Sequence, residues 1–119
     1  MSRASRLAKL EQKISMMEEE FREKLVVALR NCAAGRYGLF GQNERVAGLE
    51  GHDRWSTDGR ELLHMGEQIL QARKEIGDTT DFPLYSRFLE YRSRRGANDL
   101  GEPKLAKEFL EELNVKTHV

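Results

Sequence analysis

The first third of the chain carries its apolar residues on a helical period. Leu7, Leu10, Ile14, Met17 and Phe21 follow one another in steps of 3, 4, 3 and 4. That is a heptad seam, with Leu7, Ile14 and Phe21 at one core position and Leu10 and Met17 at the other. Beyond Phe21 the spacing broadens to Leu25, Leu29 and Cys32, joined by Val26 and Ala28 on an adjacent stripe. Residues 3–34 hold no glycine or proline and are rich in Ala, Leu, Glu, Lys and Arg, which favour helix. The pattern predicts one helix over about 4–34, stopped by Gly35 as its C′ residue. Glu18 with Arg22 and Glu20 with Lys24 are acidic-before-basic i,i+4 pairs, adding about 0.2–0.5 kcal/mol each.

At ~1.5 Å per residue such a helix is roughly 45 Å long, while a domain of this size has a radius of gyration near ~13 Å. The remaining residues cannot cover all of it. A narrow seam followed by a broad face therefore predicts a single domain over 1–119 in three parts. Residues 1–22 form a projecting, coiled-coil-like half of the helix, residues 23–114 a globular part, and residues 115–119 a frayed tail. The seam Leu7, Leu10, Ile14, Met17 and Phe21 is expected to pair with the same helix of a second copy. Antiparallel pairing is favoured because it separates the basic first turns. It also brings Arg6, Lys9 and Lys13 toward the partner's Glu18, the partner's Glu19, the partner's Glu20 and the partner's Glu23.

Three shorter helices follow. Leu62, Leu63, Gly66, Ile69, Leu70 and Ile76 share a face, predicting a helix over 58–76 that Ser56, Thr57 or Asp58 can cap and Gly77 ends. Pro83 suits the first helical position; Leu84, Tyr85, Phe88, Leu89 and Tyr91 give the helix over 83–95 its face, and Gly96 stops it. Pro103 opens a helix over 103–114 with Leu105, Ala106, Phe109, Leu110 and Leu113 inward. No alternation with a period of two persists, so no strand is predicted. The fold class is all-α: a long N-terminal helix plus three shorter helices in a small bundle. Residues 35–57, with five glycines, form an ordered loop between the first two helices, anchored on the core by its apolar residues.

Composition narrows the function. The chain has 119 residues, 39% hydrophobic and 34% charged, with 20 basic and 20 acidic side chains and no net charge. A general electrostatic grip on nucleic acid or anionic lipid is not expected. One cysteine, Cys32, permits no intrachain disulfide and lies on the inward stripe, where burial is expected. No apolar run reaches the ~20 residues of a membrane span, and the start lacks a signal-peptide h-region. A cytoplasmic location is the expectation.

The candidate chemistry is sparse. Arg36, Tyr37, Phe40, Gln42, Asn43 and Trp55 lie in a loop whose glycines allow close backbone approach, and they form a contact set for a ligand or protein partner. Its glycine spacing matches neither phosphate-binding fingerprint, and it follows a helix rather than a strand. Arg92, Arg94 and Arg95, with Arg87 upstream, form an arginine group interleaved with Tyr85 and Tyr91, suited to phosphate or a protein partner. The acidic residues of 97–114 offer it internal partners. Glu61 and His64 make one Glu-x-x-His pair, of which helical carboxylate metal sites use two with further glutamates; it is a weak metal candidate, and no cofactor is expected. No serine or cysteine has a visible catalytic team. The leading expectation is a non-enzymatic interaction or regulatory module acting as a homodimer. A nucleic-acid-associated regulator using the basic helix ends comes next. A ligand- or metal-dependent helical enzyme with its site at the dimer interface is the third reading.

Overall fold

A single long helix organises the molecule. In the computed structural model the structure describes residues 3–35, 38–39, 58–95 and 102–113. These form four helices, α1 (Arg3–Ala33), α2 (Asp58–Glu75), α3 (Pro83–Arg95) and α4 (Glu102–Glu112), with no strand among the described residues. The fold is all-α, a long helix carrying three shorter ones. The stretch 40–57, which holds most of the glycine-rich loop, lies outside the described residues.

The helix ends follow from local chemistry. Gly35 has φ +76°, and its N–H donates to the Cys32 carbonyl at 2.9 Å, closing α1. Gly77 has φ +81°. Its N–H donates to the Lys74 carbonyl at 3.0 Å and that of Asp78 to the Arg73 carbonyl at 2.8 Å, the two bonds of a Schellman cap. The α3 helix begins at Pro83, with the Phe82 carbonyl accepting the first helical bond from the Ser86 N–H at 3.1 Å, as expected for proline at the first helical position. The α4 helix begins one residue before Pro103, at Glu102.

Helix α2 runs antiparallel to α1. Lys24 reaches Asp58 and Glu61 at its start, Glu18 meets Arg73 near its end, and Ile14 lines a cavity with Ile76 just past it. The core lies between the second half of α1 and the other three helices. Phe21, 0% exposed, stands at one focus of it. Its ring makes edge contacts with Phe82, Tyr85 and Phe88 at centroid distances of 5.3, 5.9 and 6.1 Å. Tyr91 continues the row from Phe88 at 6.5 Å and meets Phe109 of α4 at 5.5 Å. Such pairs add about 0.5–1.5 kcal/mol each beyond their buried area. Residues 82, 85, 88 and 91 thus form an i,i+3 aromatic row. Leu89, expected on this face, is 39% exposed, because a row of period three winds away from it.

The division of α1 differs from the sequence expectation. Phe21 belongs to the chain's own core, and Ile14 is only 7% exposed, so the projecting part does not reach residue 22. Residues 5–13 are all exposed, and the α2 helix covers α1 from Ile14 onward. The reason is geometric: the heptad face of residues 14–21 is the same face that the wider stripe of residues 25–32 presents, and α2, α3 and α4 together fill it.

Candidate functional site

The expected seam is split by this packing. Phe21 is in the core, Ile14 is buried and Met17 half-buried, while Leu7 and Leu10 are each 42% exposed. All five lie along one side of α1, so an apolar stripe leaves the core and runs out along the free end of the helix. Where it emerges, α1 and α2 enclose an open groove of about 710 Å³. Leu10, Lys13, Ile14 and Met17 form one wall; His64, Glu67, Gln68, Gln71, Ala72 and Glu75 of α2 form the other, with Ile76 at its end. The floor is aliphatic and the rim polar, the make-up of a surface that receives another helix.

Below the groove the two helices are stapled by charge. Arg73 donates to Oε1 of Glu18 from Nε at 2.8 Å and from Nη2. Its Nη1 donates to the carbonyls of Thr80 and Asp81 at 3.3 and 2.9 Å, and its guanidinium carbon lies 5.1 Å from the Phe82 ring centroid. Lys24 holds Glu61 at 2.5 Å and Asp58 at 3.5 Å; the hydrogen bond to Glu61 is the main reason its pKa lies above the usual lysine value, against a smaller desolvation effect.

This ion pair bears on the metal candidate. Glu61 is engaged by Lys24, and His64 stands exposed on the groove wall. Among the described residues no group of three histidine, cysteine or carboxylate side chains converges as a metal site would require. The arginine group is likewise partly used internally. Arg92 and Arg94 are exposed, and Arg94 reaches Glu108 at 3.4 Å and Glu112 at 3.9 Å across to α4. Arg95 ends α3. Of the loop contact set, Arg36, Tyr37, Phe40, Gln42, Asn43 and Trp55 all lie outside the described residues. Gly38 and Leu39, inside them, are both buried, and the Leu39 carbonyl accepts the Gly59 N–H at 2.5 Å, fixing this part of the loop to the start of α2.

A second polar cluster is internal. Glu102 is 0% exposed, as is Cys32. Oε2 of Glu102 accepts the Cys32 thiol at 3.1 Å and the Leu39 N–H at 3.3 Å, and Cys32 Sγ lies 3.9 Å from the Tyr91 hydroxyl. The carboxylate therefore ties together the end of α1, the loop and the start of α4. Neither the buried Glu102 nor the half-buried Arg73 is visible from the sequence as an internal tie. A glutamate before a helix-opening proline reads as an exposed first-turn acid, and an arginine in the last turn of a helix reads as a solvated end.

No protein-family model, curated protein sequence or solved structure matches this chain.

Proposed function

We propose that the chain is a non-enzymatic protein-interaction or regulatory module that works as a homodimer, joined through the N-terminal part of α1. The observation that carries this reading is the exposure of Leu7 and Leu10, each 42%, in line with the buried Ile14 and Phe21. A free helix end with an apolar stripe is stabilised by a partner, because burying a leucine contributes about 1.5–3 kcal/mol. The basic Arg6 in the first turn of α1 opposes the helix dipole, and with Lys9 and Lys13 it gives the free end a basic edge that acidic neighbours from a second molecule neutralise. The pairing of Arg94 with Glu108 and Glu112 favours protein association over nucleic-acid binding.

The test is solution mass, by native mass spectrometry or sedimentation. The unmodified protein is expected as a dimer of the 13.7 kDa chain, and Leu10→Asp as a folded monomer. A monomeric unmodified protein, or a Leu10→Asp variant of unchanged mass, overturns the reading.

A further inference from the structure

Resting on that homodimer reading, we infer that the groove between α1 and α2 receives the free α1 end of a second copy. The two helices pair antiparallel in a register that sets Leu7 against the partner's Met17 and Leu10 against the partner's Ile14. Three observations converge on this arrangement.

The first is shape. Residues 5–13 are exposed, and the groove starts where they end, floored by Leu10, Ile14 and Met17. A parallel pair sets the two free ends against each other and leaves both grooves empty. An antiparallel pair lays each free end alongside the other copy's Ile14 and Met17, so one two-fold contact fills both grooves.

The second is pattern. Leu7 and Ile14 occupy one heptad position and Leu10 and Met17 the other. Antiparallel helices bring unlike core positions opposite one another. The only register that satisfies all four residues pairs 7 with 17 and 10 with 14.

The third is charge. In that register Arg6 stands beside the partner's Glu20, and the contact occurs twice; both side chains are exposed. Lys13 and the partner's Lys13 come near each other at the axis. Glu75 lies on the same groove as Lys13 and offers that pair a counter-charge. The acidic Glu67 further along the groove faces the incoming basic helix end.

The experiment is disulfide trapping on the full chain. Residues 7 and 17 of one helix are ~15 Å apart, too far for an intrachain bridge, which needs Cα atoms within ~7 Å. Cys32 is fully buried and common to all variants. The double variant Leu7→Cys/Met17→Cys is expected to shift under mild oxidation to twice the chain mass, whereas Leu7→Cys alone stays at the single-chain mass. Circular dichroism confirms that both variants retain their helix. Cross-linking of Leu7→Cys alone shows a parallel pair and overturns the register while the homodimer stands. A dimer by sedimentation with no trapping of the double variant overturns the groove as the docking site. A monomer by sedimentation with no trapping overturns both this inference and the homodimer itself.

Discussion

Arg73 and Glu18 clasp the two longest helices together, with two guanidinium nitrogens on one carboxylate oxygen. The remaining nitrogen caps the α2–α3 connection through the carbonyls of Thr80 and Asp81. One side chain thus fixes α1 against α2, shapes the turn after α2 and covers the Phe82 ring. The planar fork of arginine matches these acceptors and a lysine does not. The Arg73 side chain is 12% exposed and that of Glu18 28%, so the pair is worth more than a surface ion pair and less than a fully buried one. Arg73→Ala is expected to lower stability by about 2–3 kcal/mol, and Arg73→Lys to recover less than half of that. Urea unfolding of the three proteins measures both. A lysine variant as stable as the parent contradicts the assigned role of the fork.

At Gly66 the Tyr85 ring of α3 lies directly against the α2 backbone. A Cβ at this position lies 2.1 Å from Cε1 of Tyr85, well inside contact distance, and the Tyr85 ring is held by Phe21 and Phe88. Helix propensity alone favours Gly66→Ala by ~1 kcal/mol. Forcing the ring aside costs about 1–3 kcal/mol and also strains the Tyr85 hydroxyl bonds to the Leu63 carbonyl at 3.3 Å and to Glu67 at 3.0 Å. The net expectation is a lower melting temperature for Gly66→Ala. In a Tyr85→Leu background the same alanine becomes neutral or stabilising. A double-mutant cycle on thermal unfolding checks the sign of this coupling.

How much of this was legible in the sequence depends on which residue is asked. The 3,4 spacing of Leu7 to Phe21 marks a helix regardless of what covers it, and Gly35, Gly77 and Pro83 mark helix ends through backbone restrictions that act locally. The same spacing cannot say whether the covering surface belongs to the same chain. Phe21 went to the core and Leu7 to solvent although both occupy the same heptad position. A 3.6-residue period places Leu89 inward, while α3 buries an aromatic row of period three, Phe82, Tyr85, Phe88 and Tyr91. Arg73 and Glu102 were invisible because their burial depends on partners 55 and 63–70 positions away, and no local pattern encodes that distance.

The Tyr85 hydroxyl predicts an alkaline transition. Burial first, and then its bond to Glu67, push its pKa from 10.0 up to about 12. Folded Tyr85 holds its proton where the unfolded chain releases it. The resulting stabilisation is fully present below about pH 10 and is lost progressively as pH rises toward about 12. Lys24, whose pKa is also raised, acts in the same direction and is unchanged by mutation at Tyr85. Unfolding free energies measured across this range should fall more steeply for the parent than for Tyr85→Phe. Parallel curves contradict the assignment.

The buried carboxylate of Glu102 gives the sharpest prediction for the loop. Glu102→Ala leaves the Leu39 N–H and the Cys32 thiol without the oxygen they share, in a site closed to solvent. Leaving the buried Leu39 N–H without its acceptor costs ~1–3 kcal/mol and losing the thiol bond to the carboxylate adds about 1 kcal/mol, so a loss of about 3 kcal/mol is expected. Glu102→Gln keeps an acceptor oxygen of nearly the same shape and is expected to cost about 1 kcal/mol. The thiol itself reports the change. In the parent, Cys32 is covered and reacts with a thiol reagent only through opening of the fold. If that opening releases α4 from the end of α1, the alanine variant's 3 kcal/mol raises the native-state labelling rate roughly a hundredfold. The glutamine variant then rises about fivefold. Loss of stability without faster labelling places the weak point elsewhere in the fold. Unchanged stability and labelling in the alanine variant remove Glu102 as the tie between α1, the loop and α4.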